Sequence, residues 1–160
     1  MAVQGIDDKS IIQICVIVDD VEKYMKKYSE VFGLPMPTEY HITAGHDETE
    51  AKYYGEPTEA KAKITSFYFG KVQFELLEPL GGPSVWQDFL DQNGPGVHHI
   101  AFKVNGSNEV AASFEASGFP VSQQGLFTGL PRGMYTYLNT DNALGTTVEL
   151  LEWLDKDKTS

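Results

Sequence analysis

The chain has 160 residues, a mass of 17.8 kDa, 41% hydrophobic and 12% aromatic residues, and a formal net charge of −11. That length suits one compact domain or two small modules sharing a core, and the apolar content argues against disorder. Twelve Lys and Arg against twenty-three Asp and Glu supply no basic stripe for a nucleic-acid partner, and no apolar run approaches the ~18 residues of a membrane span.

Residues 1–10 are polar and acidic, without the basic start and apolar stretch of a signal peptide, and are expected to form a tail. Next, Ile12, Ile14, Val16 and Val18 alternate with Gln13, Cys15 and Ile17, the period of a β-strand. Cys15 is the single cysteine. Inside an apolar run it reads as a small core residue of a reduced, cytoplasmic protein. Val21, Tyr24, Met25, Tyr28, Val31 and Phe32 recur at helical spacing, with Asp19 or Asp20 to cap the start and Gly33 to end the helix. Strand-like runs follow at roughly Tyr40–Thr43, Ile64–Phe69 and Val72–Leu77, the last two joined at Gly70-Lys71. Between them Gly45–Lys61, rich in charge, Gly and Pro, predicts a long loop or irregular excursion.

Ser84–Gln92 predicts a short linking helix, bounded by Gly81-Gly82-Pro83 and Asn93-Gly94-Pro95-Gly96. The pattern then starts again. From His99 the chain reads H-I-A-F-K-V, as from Gln13 it reads Q-I-C-V-I-V. A polar turn follows, then a shorter helix marked by Val110, Ala111, Phe114 and Ala116 and stopped at Gly118, then G-F-P where the first half has G-L-P. Strands are expected at roughly Val121–Phe127, Met134–Leu138 and Thr146–Glu152, and the string E-L-L-E of Glu75–Glu78 returns at Glu149–Glu152. Two strings recurring in one order define a tandem duplication. The expected fold class is α+β, with two βαβββ modules at 11–80 and 97–153, a linker at 81–96, and tails at 1–10 and 154–160.

The repeat singles out Gln13 and His99 in equivalent first strands, and Glu75 and Glu149 in equivalent last strands. Alternate strand residues share a face. The phase sets all four opposite their apolar neighbours, projecting into a shared trough, with His98 on the other strand face. Alone, each has an ordinary structural role. Together they form an O, O, N, O donor set with two negative charges, suited to one divalent cation: Zn²⁺, Ni²⁺, Co²⁺, Mn²⁺ or Fe²⁺.

The runs Q-I-C-V-I-V-D-D-V-E-K-Y, F-E-L-L-E-P-L-G, G-P-G-V-H-H-I-A-F-K-V and T-T-V-E-L-L-E resemble the signature strands of the vicinal oxygen chelate superfamily, from Ile11 to Trp153. The resemblance implies a glyoxalase-like fold: paired modules forming a cleft lined by curved mixed β-sheet around one divalent metal, often in a homodimer. Carried over, the metal ligands are Gln13, Glu75, His99 and Glu149. The string E-L-L-E-P-L-G-G-P-S with G-P-G-V-H-H-I-A-F-K-V is similar to methylmalonyl-CoA epimerases, which usually have histidine at position 13 and His-Pro at 139–140. The Gln, Glu, His, Glu quartet instead resembles zinc-type glyoxalase I, a lactoylglutathione lyase.

Both likenesses imply an enzyme in which a metal holds two vicinal oxygens and stabilises an enediolate. The substrate would be a small molecule, an acyl-CoA or other thioester or α-oxo compound. By resemblance Glu149 is the base, and the second acid/base of an epimerase falls on Glu59. A ligand-sequestering protein of the bleomycin-resistance type is the non-catalytic alternative. An extradiol dioxygenase uses two histidines and a carboxylate on iron, and Gln13 argues against it. Arg132, in the turn 129–133, is either a contact for a substrate carboxylate or phosphate or an exposed turn residue. Tyr135 and Tyr137 read as packing residues.

Overall fold

A computed structural model describes residues 2–129 and 131–155; Met1 of the expected N-terminal tail, Leu130 of the arginine turn and 156–160 of the expected C-terminal tail lie outside them. The first half runs β1 (Gln13–Ile17), α1 (Val21–Phe32), β2 (His41–Ile42), α2 (His46–Thr49), β3 (Lys52–Tyr53), β4 (Glu56–Pro57), β5 (Ala62–Phe69) and β6 (Val72–Pro79). After α3 (Val85–Asn93) the second half runs β7 (Gly96–Lys103), α4 (Ser107–Ala116), β8 (Val121–Phe127), β9 (Gly133–Leu138), α5 (Asp141–Leu144) and β10 (Thr147–Trp153). Among the described residues no helix is long and apolar enough to cross a membrane.

The strands form one mixed sheet in the order β2-β5-β6-β1-β7-β10-β9-β8-β3-β4. Its centre is the antiparallel contact of the two first strands, β1 and β7, and each of these runs parallel to the last strand of its own half, β6 or β10. The βαβββ duplication is therefore written into the strand order. On one face α1 packs over Val16, Val18, Phe67 and Leu76, and α4 packs over Leu138, Val148 and Leu150. On the other, concave face, α3 covers the centre, where Trp86 meets Cys15, Ile17, Leu77 and Tyr137. Each such aliphatic side chain contributes about 1.5–3 kcal/mol on burial.

The spacing of E-L-L-E has a physical cause in this arrangement. Residues three apart on a strand face opposite ways. The first glutamate of each string points into the concave face, and the last reaches back to the helix of its own half. Glu78 Oε2 accepts the Val21 N–H of α1 at 2.9 Å, and Glu152 accepts the Gly106 and Ser107 N–H groups of α4 at 2.8 Å each. Asp20 completes the cap of α1 by accepting from Lys23 N, and Gly33 ends it in the left-handed conformation.

The segment 45–61 is not an irregular loop. It forms α2 and a β3–β4 hairpin, whose turn places Tyr54 and Gly55 at φ 47° and 83°, the positive pair that a tight two-residue hairpin turn needs. Although it belongs to the first half, its strand β3 pairs with β8 of the second. Tyr53 Oη donates to Asp88 Oδ2 at 2.5 Å and Thr58 Oγ1 donates to Pro83 O at 2.7 Å, tying the strap to α3 and its approach.

Gly82 sits where this strap meets the linker. Its φ is +80°, and a Cβ there would lie 2.7 Å from Ala60 Cα. Gly82→Ala is expected to cost about 2 kcal/mol or more, a fall in melting temperature of roughly 4–8 °C; an unchanged thermal midpoint would contradict the close backbone approach.

Candidate metal centre

The four singled-out side chains converge. His99 is fully buried on β7, and its Nε2 lies 3.1 Å from Gln13 Oε1, 3.1 Å from Glu149 Oε2 and 3.9 Å from Glu75 Oε1. The register explains the gathering. Cys15 of β1 stands between Glu75 of β6 and His99 of β7, and one row along Gln13 and Glu149 flank Ala101. Strand phase sends all of these side chains to the concave face.

A single Nε2 proton can satisfy only one of three oxygens. Glu149 Oε2, almost completely buried, has no hydrogen bond despite its 3.1 Å approach to the imidazole. Burial pushes the Glu75 carboxyl up to about 7, against the pull of His99 and with Glu149 adding repulsion. Burial alone would lower His99, but Glu149 first and Glu75 after it raise its pKa above the ordinary histidine value. An orphaned carboxylate oxygen and two crowded acids around one imidazole nitrogen are what a divalent cation would resolve. The donor set fits such an ion.

The surroundings orient these donors. Gln13 Nε2 donates to Gln73 Oε1 at 2.8 Å, which turns its Oε1 inward, and Gln73 Nε2 donates in turn to Ser66 Oγ at 3.3 Å. His98 is not on the opposite strand face as alternation predicts: the β1–β7 register shifts at Cys15/Val16 and skips His98, so its ring packs against Phe89 of α3 and Tyr137 and its Nδ1 is 2.8 Å from Nδ1 of His99. Burial lowers its pKa well below the ordinary value, so a neutral His98 can accept from His99 Nδ1–H and leave Nε2 free for a metal. Neither residue is signalled by the repeat: Gln73 has no counterpart in it, and an adjacent His pair gives no indication that the rings touch. Cys15 is core, as expected, but its thiol also borders Glu75. The ligand atoms of Cys15, Glu75 and His99 lie within 4.8 Å of one another.

Glu59 is not part of this group. It is exposed on the strap, and its Oε2 accepts the His46 N–H at 3.0 Å at the start of α2. Counting back from Glu75 placed it in sequence, but it follows the β3–β4 hairpin on the strap and its carboxylate turns to the start of α2. Arg132 is likewise engaged elsewhere: its backbone N–H donates to Asp155 Oδ2 at 2.8 Å, with its guanidinium beside Oδ1.

Above the quartet opens a cavity of about 290 Å³, lined by Gln13, Glu75 and Glu149 at one end and by Trp86, Tyr135 and Tyr137 along a wall. Trp86 Nε1 donates to Tyr137 Oη at 3.0 Å, and the Tyr137 ring centroid is 4.9 Å from that of His99.

A mixed sheet curled around a trough of convergent oxygen and nitrogen donors defines the glyoxalase-like fold. Residues 12–138 match the profile of the Glyoxalase/Bleomycin resistance protein/Dioxygenase superfamily, and the chain belongs to that superfamily. Its fold is similar to that of methylmalonyl-CoA epimerase from Mycobacterium tuberculosis (TM-score 0.61, 19% identity, covering 94% of this chain and 88% of that one). Streptomyces coelicolor methylmalonyl-CoA epimerase, in complex with 2-nitronate-propionyl-CoA, gives 0.62 at 21% identity over 92% and 96%. Hypothetical protein BH1468 from Bacillus halodurans C-125 gives 0.63 at 19% over 93% and 97%. At such identities the likeness is one of fold. In sequence, the uncharacterized protein YqjC of Bacillus subtilis (strain 168) is 45% identical over 47 residues, 29% of this chain and 34% of that protein, so the match spans about a third of its length.

Proposed function

We propose that the chain is a metal-dependent isomerase or epimerase that removes a proton from the carbon next to a carbonyl, acting on an acyl-CoA or another thioester. The observation that carries this reading is the convergence of Gln13, Glu75, His99 and Glu149 on one point. A divalent ion of the Zn²⁺, Ni²⁺, Co²⁺ or Mn²⁺ kind, when bound, supplies Lewis-acid stabilisation of negative charge developing across two adjacent substrate oxygens. Gln13 Oε1, Glu75, His99 Nε2 and Glu149 hold it. Glu149 also serves as the base, because its Oε2 carries no hydrogen bond to restrain it. Trp86 and Tyr137 keep bulk water from the reacting carbon.

The test is elemental analysis of untreated protein, with about one equivalent of a divalent metal expected, followed by solvent-deuterium exchange into acyl-CoA thioesters. A chain that takes up none of the four ions in titration would sink the proposal. Gln73→Leu is expected to weaken metal affinity about 10–100-fold by freeing the Gln13 amide to rotate; calorimetric titration reads this directly, and undiminished affinity would remove Gln73 from the orienting set.

The inward Gln13 amide oxygen favours a second reading, a lyase acting on the thiohemiacetal of methylglyoxal and glutathione. Its test is that assay, with other thiols in parallel; no turnover with any of them removes it.

A further inference from the structure

The wall that leads away from the four donors is aromatic and uncharged. Trp86, Tyr135 and Tyr137 form a continuous set, with ring centroids 5.3–6.2 Å apart, and Phe127 and Trp153 continue the lining 6.0 Å from one another. The phenol oxygens are turned to internal partners, Tyr137 accepting from Trp86 and Tyr135 accepting from Gln123 Nε2 at 3.4 Å. An ordinary phenol is neutral at physiological pH, so the wall carries no charge.

Among the described residues no lysine or arginine lines the cavity, and its one histidine beyond the donor cluster is the exposed His41. Arg132, the chain's single arginine, is engaged by Asp155, and Lys103 stands outside the lining with Nζ 5.6 Å from the Trp153 ring. Two carboxylates balance one divalent ion, which leaves no positive charge for a third carboxylate carried by the substrate. A volume of about 290 Å³ is at the low end of ~300–1,000 Å³ for small-molecule sites. It admits the reacting acyl group and leaves a bulky thiol carrier outside.

We infer that the cavity selects an α-oxygenated or α-carbonyl acyl group whose substituent is an aryl ring, and rejects one bearing a second carboxylate. This rests on the metal-chelate reading above and narrows its substrate class. The ring lies against Trp86, Tyr135 and Tyr137 while the two adjacent oxygens face the donors, and aromatic contacts of this kind prefer the tilted and edge-on arrangements already present there.

Both tryptophans of the chain line the cavity, so intrinsic fluorescence reports its occupancy. The experiment titrates the full chain, with Zn²⁺ and after EDTA treatment, using phenylacetohydroxamate, acetohydroxamate and succinohydroxamic acid. All three present two vicinal oxygens, and only the last adds a carboxylate. With Zn²⁺ the aryl probe is expected to bind at least tenfold more tightly than either other probe, and EDTA is expected to weaken it at least tenfold. If succinohydroxamic acid binds as well as the aryl probe, the substrate class is wrong and chelation survives. If the aryl probe binds equally with and without Zn²⁺, the apolar wall is real and the chelate reading falls. Absence of binding by any probe overturns both.

Discussion

Replacing Glu149 by Gln is expected to slow exchange of the substrate α-hydrogen with solvent deuterium by about 10³-fold, within the 10²–10⁴-fold range of a positioned general base. The substitution keeps the shape of the side chain and removes its charge. Glu149 is 3% exposed and its Oε2 is orphaned beside His99, so the neutral amide is tolerated in packing. It cannot accept a proton from carbon, however well the substrate is seated. The exchange assay separates this loss from failure to turn over, because it needs only the first proton transfer. Metal content of the variant should be measured alongside, since a metal-loaded, folded Glu149→Gln protein that still exchanges deuterium removes this residue from the chemistry. Glu59→Gln is the matching control. An exposed cap of a four-residue helix should leave exchange within about twofold, on the general ground that surface changes away from a site have small effects.

The second large effect concerns pH and metal together. Glu75 has a folded pKa of about 7 against an ordinary 4.5, so the metal-free fold binds that proton more tightly than the unfolded chain does. The resulting stabilisation is complete below about pH 4.5 and is lost as pH rises through about 7. His99, raised above 6.5, acts in the same direction: its stabilisation is present at low pH and vanishes as the imidazolium deprotonates. A shift of the size seen at Glu75 corresponds to about 3 kcal/mol, or roughly 5–10 °C in melting temperature for a chain of this length. Metal-free protein is therefore expected to melt at progressively lower temperature from pH 5 to pH 8. Metal requires deprotonated ligands, so adding Zn²⁺ should reverse the slope, and Glu75→Gln should flatten it without metal. A metal-free protein whose melting point rises over that interval would show that the two acids are not crowded as described.

Much of this architecture was legible because the chain repeats itself. The recurrence of Q-I-C-V-I-V as H-I-A-F-K-V and of E-L-L-E fixes which strands are equivalent, and strand phase alone sends residues 13, 75, 99 and 149 to one face. Their approach to a common point follows from β1 lying against β7, which pseudo-symmetry requires of two such halves. What escaped was local and asymmetric. The β3 and β4 strands are two residues each, too short to carry a period, and Tyr54 holds a turn position at φ 47° where Asn or Asp would have announced it. Glu59 lies apart from the quartet because separation along the chain says nothing of direction, and its carboxylate turns to the His46 N–H. The contact between His98 and His99 is invisible to alternation, which treats neighbours on a strand as pointing apart. The second glutamate of each E-L-L-E was likewise overlooked, although its return to the helix start is as regular as the convergence of the first.

The two margins of the sheet are β2 and β4, each two residues long, and β4 ends in Pro57. A margin this brief offers few free amides and carbonyls to a passing chain, and proline removes one of the donors outright. That protection is local to the margin strands, since β2 pairs only with Lys63 and Ile64 of β5, and β3 meets only Gln123 and Gln124 of β8. Lengthening either margin, for instance by extending the hairpin with alternating Val and Thr, would trade that protection for a tendency to form fibrous aggregates.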